Sequence, residues 1–132
     1  MANPNILNVT SIYGGTAYVI PSTTAANSSW KYDGTTDLTG LTPAINSVHK
    51  IDSIVISNTT ASPSPASVAV YSAAALGGVA NYLAYQISVP ANASLIVTDK
   101  TTSFYVTNTQ SIGVTSGTGS ALTFVASFEI LT

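Results

Sequence analysis

Any chemistry done by this 132-residue chain would fall to very few side chains. It has one histidine, His49, and eight charged residues: Asp33, Asp37, Asp52, Asp99, Glu129, Lys31, Lys50 and Lys100. Arginine and cysteine are absent from the sequence. A serine or threonine nucleophile needs a base beside it and a carboxylate to orient that base. Only His49 offers the base, and Asp52 follows three residues later on the same expected strand edge. No Gly-x-Ser-x-Gly elbow accompanies them, so His49 reads as a strand-edge histidine in a polar rim. Glycoside hydrolysis requires two carboxylates facing one another across a cleft. The nearest acidic pair is Asp33 and Asp37, in the loop sequence Asp33-Gly-Thr-Thr-Asp37. Carboxylates and carbonyls in such a loop suit Ca²⁺ in kind, but the segment reads as a solvated loop. Phosphate-binding glycine loops, zinc-ligand spacings and dinucleotide fingerprints are missing from the sequence. The expectation is a protein that is not an enzyme and that holds no metal or cofactor.

The elements around these residues are easier to read. Charged residues make up 6% of the chain, against roughly a quarter in ordinary soluble domains. A surface so poor in charge suits a protein covered by neighbours, since interface cores are depleted in charged residues. The net charge of −2 gives no steering toward nucleic acid or an anionic membrane. The apolar runs are too short for a spanning helix, which needs about 20 residues. The opening Met-Ala-Asn-Pro-Asn lacks the basic and apolar regions of a signal peptide, and none is expected. More than a quarter of the residues are serine or threonine, yet the pattern is not that of a disordered stalk. Leu122, Phe124, Ala126, Phe128 and Ile130 alternate with Thr123, Ser127 and Glu129, Val125 being the exception on the polar side. That period of two marks a strand with one buried face. Leu83, Tyr85, Ile87 and Val89 repeat it, and Val68 and Val70 do so in shorter form. Further strands are expected over Ile51–Ser57, Ser94–Thr98, Ser103–Thr107 and Ser111–Thr115. Pro63-Ser64-Pro65, Gly77-Gly78, Pro90-Ala91-Asn92, Asp99-Lys100 and Gly117-Thr118-Gly119 supply turns between them. Strands recurring at this spacing predict an all-β protein, a β-sandwich or barrel, and the expected fold is a single antiparallel β-sandwich, jelly-roll-like, with an N-terminal arm.

The first third is patterned differently. Residues 1–20 read either as an N-terminal arm or as the first strands, Ile6–Ile12 and Thr16–Ile20 flanking Gly14-Gly15. Residues 21–46 read as a loop-rich insertion, and 47–132 as the sandwich core, within one domain overall. An extended arm is a common means for one subunit to reach another by strand addition. On that reading Ile6, Leu7, Val9 and Ile12 supply apolar contacts, flanked by Tyr13, Tyr18, Trp30 and Tyr32. Tyr82, Tyr85 and Tyr105, on predicted strands, read as core or sheet-face residues. Four Asn-x-Ser/Thr sequons, at Asn8, Asn27, Asn58 and Asn92, are about what chance provides in so hydroxyl-rich a sequence, and no glycosylation is expected.

Several stretches carry a resemblance. They are Met1-Ala-Asn-Pro-Asn-Ile-Leu-Asn-Val-Thr-Ser-Ile-Tyr-Gly14, Val48-His-Lys-Ile-Asp-Ser-Ile-Val-Ile-Ser-Asn-Thr-Thr60, and Ala66-Ser-Val-Ala-Val-Tyr71. With them go Ile87-Ser-Val-Pro-Ala-Asn-Ala-Ser-Leu-Ile-Val-Thr-Asp-Lys100, Ser111-Ile-Gly-Val-Thr115 and Ala126-Ser-Phe-Glu129. Together they resemble small virion structural proteins of tailed bacteriophages, especially those of cyanobacteria and other marine hosts. The resemblance covers most of the chain outside residues 23–43. Where such proteins usually carry Glu-Gly or Gly-Asp before the Ser-Ile segment, Asn108-Thr109-Gln110 stands here. The resemblance implies a non-enzymatic capsid decoration protein, made in the host cytoplasm and carried on the outer head surface. It implies the major capsid protein or other virion proteins as partners and a homo-oligomer, with a trimer favoured, and neither nucleic acid nor membrane. A tail, neck or fibre component and a receptor- or glycan-binding module are the alternatives.

Overall fold

The computed structural model describes residues 9–22, 25–26, 29–32, 34 and 36–132. Among these, ten strands form two antiparallel sheets and there is no α-helix. The strands are β1 (Ile12–Val19), β2 (Ser29–Tyr32), β3 (Thr36–Thr39), β4 (Val48–Asn58) and β5 (Ser64–Tyr71), then β6 (Ala80–Val89), β7 (Ser94–Thr98), β8 (Phe104–Thr107), β9 (Ser111–Ser116) and β10 (Leu122–Leu131). The larger sheet runs β3-β2-β1-β10-β4, and β4 is then paired on its far side by β8 at one end and β7 at the other. The smaller sheet runs β6-β5-β9. The all-β sandwich expected from the alternation is therefore the fold.

The core lies between the sheets and is built by that alternation. Leu122, Phe124, Ala126 and Phe128 of β10 are buried, as are Ile51, Ile54 and Ile56 of β4. Val68 and Ala66 of β5 and Ile112 and Val114 of β9 meet them from the smaller sheet. A bulge between Ser127 and Phe128, opposite Ser53 and Ile51, lets β4 keep its apolar residues inward on both sides of Asp52. β5 begins at Ser64, so Pro65 is the second residue of a strand and not part of a turn. Proline is tolerated there because the start of a strand can forgo one ladder donor.

Two expectations about the first third are corrected. Gly14-Gly15 does not separate two strands; β1 runs straight through it, paired with β10 from Ile12↔Leu131 to Val19↔Phe124. The Tyr32 ring lies over Gly15, where a Cβ would come within 2.6 Å of the ring edge and 3.2 Å of Phe128. Glycine is needed there to make room for an aromatic ring, not to turn the chain. Nor are residues 21–46 a peripheral insertion. They supply the β2–β3 hairpin, with Trp30 opposite Leu38, and the buried Leu41. The Trp30 indole N–H donates to the Ile112 carbonyl at 3.1 Å, while the Ile112 amide donates to the Gly40 carbonyl at 2.6 Å. These bonds join the hairpin region to β9 and close one side of the sandwich. Ile12–Val19 belongs to the sheet, and the proposed arm segment 1–8, with Ile6 and Leu7, lies outside the described residues.

Trp30 thus yields the first test. Trp30→Phe keeps most of the buried ring but leaves the Ile112 carbonyl without its donor, a loss of about 1–3 kcal/mol. Urea unfolding followed by far-ultraviolet circular dichroism is expected to show the lower midpoint; an unchanged midpoint would remove this bond from the account.

Candidate functional site

The residues with chemical potential are held by the fold in separate places. His49 is not on a polar rim. It faces the core and is 3% exposed, with its Nδ1 2.8 Å from the Leu41 carbonyl and its ring 4.9 Å from the Phe128 ring. A carbonyl only accepts, so Nδ1 carries the proton and donates. Burial lowers the imidazole pKa to about 4, outweighing the upward pull of the Leu41 bond. Asp52 faces the other way. Its carboxylate is 3.5 Å from the Lys50 ammonium, which also lies 3.7 Å from Glu129. Glu129 and Asp52 together raise the Lys50 pKa. Asp52 and Glu129, with Lys100, Ser127 and Gly14, line an open concavity of about 530 Å³ on the outer face of the larger sheet. Asp37 pairs with Lys31 at 2.7 Å across the β2–β3 hairpin, and Asp33 lies outside the described residues. Among the described residues no three His, Asp or Glu side chains gather as a metal site would require.

Of the sequons, Asn8 and Asn27 lie outside the described residues. Asn58 is a buried structural residue. Its Nδ2 donates to the Ser62 and Val89 carbonyls, and its Oδ1 accepts from the Thr60 amide and hydroxyl. Asn92 is exposed in the turn before β7.

The expected contact residues divide sharply. Ile12 and Tyr13 are 62% and 60% exposed, and Tyr18 is also exposed. Val9 is half-buried, and Tyr32 is half-buried with its ring 5.7 Å from Phe128. Trp30, expected on the contact surface, is wholly buried. Its burial follows from the hairpin, which turns the indole toward β9.

The fold adds residues that the sequence alone did not single out. On the outer face of the larger sheet, Tyr18 pairs with Val125, Val125 with Val55, and Val55 with Ile96. These four side chains form one apolar row across β1, β10, β4 and β7. Hydroxyl rows flank it, Thr16–Ser127–Ser53 on one side and Thr123–Ser57–Ser94 on the other. The Ser57 and Ser94 hydroxyls are hydrogen-bonded at 3.1 Å. Exposed Ile20 continues the apolar surface past the end of β1, and beside it Tyr18, Val19, Ser29 and Lys31 frame a shallow recess of about 280 Å³. Val125, the apolar residue between Thr123 and Ser127 on the polar face of β10, was the one sequence signal of this row.

β6 departs from expectation. Its alternation predicts Leu83, Tyr85 and Ile87 in the core with Val89, but only Val89 is buried. The β5–β6 register shifts twice, between Ala66 and Val68 and between Val68 and Ala69. Extra β6 residues are accommodated there, and the strand turns its apolar side chains toward solvent.

Compared with known proteins, the chain matches no family, no curated sequence and no solved structure. The outer face of the larger sheet thus carries a row of apolar side chains between hydroxyl rows, and most of the described charges are drawn into ion pairs.

His49 gives a pH test. Unfolded, the imidazole protonates near pH 6.5, whereas folded it stays neutral down to about 4. Its contribution is therefore complete above pH 6.5 and is lost as pH falls toward 4, by roughly 3 kcal/mol in all. Asp99 acts lower. Hydrogen bonds from the Thr101 hydroxyl and amide hold its carboxyl below the usual range, so its contribution disappears only under about pH 4. Chemical unfolding between pH 7.5 and 4.5 is expected to show a falling midpoint for the native chain and a nearly flat one for His49→Leu. Parallel slopes in the two proteins would contradict a neutral, buried His49.

Proposed function

We propose that the protein is a non-enzymatic structural component of a tailed-phage virion, a capsid decoration protein that binds the outer face of the shell and ties neighbouring capsomers together. The observation that carries this reading is the exposed apolar surface of β1 and its row across the larger sheet: Ile12, Tyr18 and Ile20, continued by Val125 and Val55. Burial of such a face against a neighbour is favourable at about 25 cal/mol per Å² of apolar surface. The hydroxyl rows on either side can exchange water for partner groups at the rim. The sequence resemblance supplies the virion context and the major capsid protein as the partner. On that resemblance the protein is a homo-oligomer on the outer head surface, a trimer formed where three copies gather around each local three-fold position of the shell. Repetition of a modest contact around a symmetry axis gives avidity that one copy lacks.

The contact is tested with capsids stripped of the protein. Purified protein is mixed with them and imaged by cryo-electron microscopy. Ordered density at local three-fold or quasi-three-fold positions is expected, with β1 toward the shell. Bare shells, or density confined to the portal or tail, would move the protein to the tail, neck or receptor-binding class. Tyr18→Asp and Ile12→Asp replace exposed side chains and are expected to leave the thermal midpoint within about 2 °C, since surface substitutions usually change stability by less than 0.5 kcal/mol. Each is expected to lower capsid occupancy at least tenfold in co-sedimentation. Undiminished occupancy in the double variant would exclude β1 as the contact.

A further inference from the structure

On the side of the sandwich where β6 and β7 approach each other, both sheets end in a free edge. Among the described residues β6 pairs with β5 alone and β7 with β4 alone. Edge strands in soluble proteins are commonly guarded by lysine, proline or an inward charge. Neither strand contains any such residue: their sequences are Ala-Asn-Tyr-Leu-Ala-Tyr-Gln-Ile-Ser-Val and Ser-Leu-Ile-Val-Thr. Between them lies an open groove of about 540 Å³, walled by Tyr82, Tyr85 and Ile87 on one side and by Leu95, Ile96 and Val97 on the other. Tyr85 is 58% exposed and Ile96 64%.

We propose that this groove is the contact surface for a second copy of the same chain, joined through a two-fold axis. Size is the first argument. The exposed parts of Tyr82, Leu83, Tyr85, Ile87 and Ile96 sum to roughly 500 Å², within the range of the largest apolar patch on a monomer and often a functional one. Two such patches fully covered face to face bury roughly 1,000 Å² from these side chains alone, about the threshold that a specific interface must clear. Shape is the second. Tyr82 and Tyr85 stand edge to face with ring centroids 4.7 Å apart, forming a projection beside the recess. A two-fold contact presents the same patch on both sides and needs a projection and a recess within it. Charge is the third. A partner bringing an ion would desolvate it against an uncharged groove with nothing to pair it, whereas an identical uncharged patch meets no such penalty.

The bulges define the kind of contact. Gln86 has a φ of 48°, outside extended backbone, and β6 carries two register shifts against β5. A continuous cross-strand ladder along β6 is thereby interrupted, so the two copies meet through aromatic and aliphatic side chains. Apart from Ile96, which ends the outer apolar row, this pairing uses a surface away from β1, and it concerns the free chain, before any copies gather on a shell.

The absence of cysteine from the sequence makes the test specific. Tyr82→Cys and Tyr85→Cys are prepared singly, with Thr109→Cys on the exposed β8–β9 turn as control, and oxidised at low protein concentration. In a two-fold contact a residue near the axis faces its own symmetry mate. At least one of the two groove variants is therefore expected to form a disulfide-linked dimer at ten or more times the rate of the control. Sedimentation velocity of the free native chain is expected to give a dimer, and Tyr85→Lys combined with Ile87→Lys, both in the groove and outside the apolar row, a monomer with an unchanged circular dichroism spectrum. A monomeric native chain, or a native trimer, or a dimer that survives the paired lysines, would each overturn the proposal. Capsid binding by the paired-lysine variant separates this result from the role of β1, because loss of self-association leaves that face intact.

Discussion

The structure depends on the two-sided pairing of β10. It is hydrogen-bonded to β1 along eight register pairs and to β4 along ten, and Leu122, Phe124, Ala126 and Phe128 all point into the core. A slip of one residue on either side would turn a neighbour's whole apolar set toward water. The two ladders therefore fix each other. The C-terminal strand also holds the start of the described chain, since the Thr10 amide donates to the Thr132 carbonyl and the Thr132 amide to the Ser11 carbonyl. β1 cannot leave the sheet as a free arm without exposing the inner face of β10.

The same register organises the outer face. Once Val125 is opposite Tyr18 on one side and Val55 on the other, the apolar row is complete, and the hydroxyl rows fall into place two residues away on either side. The bulge that keeps Ile51 and Ile54 inward leaves Asp52 on the outer face with Lys50 and Glu129. The core pattern and the surface pattern are thus two readings of one set of strand pairings.

Much of this was legible in the sequence wherever a strand obeys a simple period. The segments that became β4, β5, β7, β8, β9 and β10 could be placed from alternation and turn residues, because each buries one face against the other sheet. What escaped was set by contacts distant in sequence. Nothing local to Gly14-Gly15 tells that the Tyr32 ring will cover Gly15, and a glycine pair otherwise signals a turn. Trp30 sits in a poorly patterned segment, and its burial depends on a carbonyl 82 residues away. His49 had an acidic neighbour in sequence, but the faces of β4 separate them. β6 has the right period and the wrong environment: its alternation describes a strand, while the bulges and the missing outer neighbour leave Leu83, Tyr85 and Ile87 in solvent. Of the contact residues expected near the N-terminus, Ile12, Tyr13 and Tyr18 are exposed, but the row that Tyr18 begins becomes visible only through cross-strand register.

The scarcity of charge acquires a physical sense from where the charges are. Lys31 pairs with Asp37, and Lys50 stands between Asp52 and Glu129. Exposed pairs like these add little to stability, about 0–1 kcal/mol each. Their arrangement matters more for what is pressed against the protein. An unpaired ion carried into an interface loses its hydration with no return, a cost of several kcal/mol. Here Lys31 and Lys50 beside the apolar row already have carboxylate partners on the same sheet, and β6 and β7 carry no ionic group. The surfaces that offer apolar contact are thus those where burial does not strand an ion. A free monomer with such faces gains little protection from charge against association.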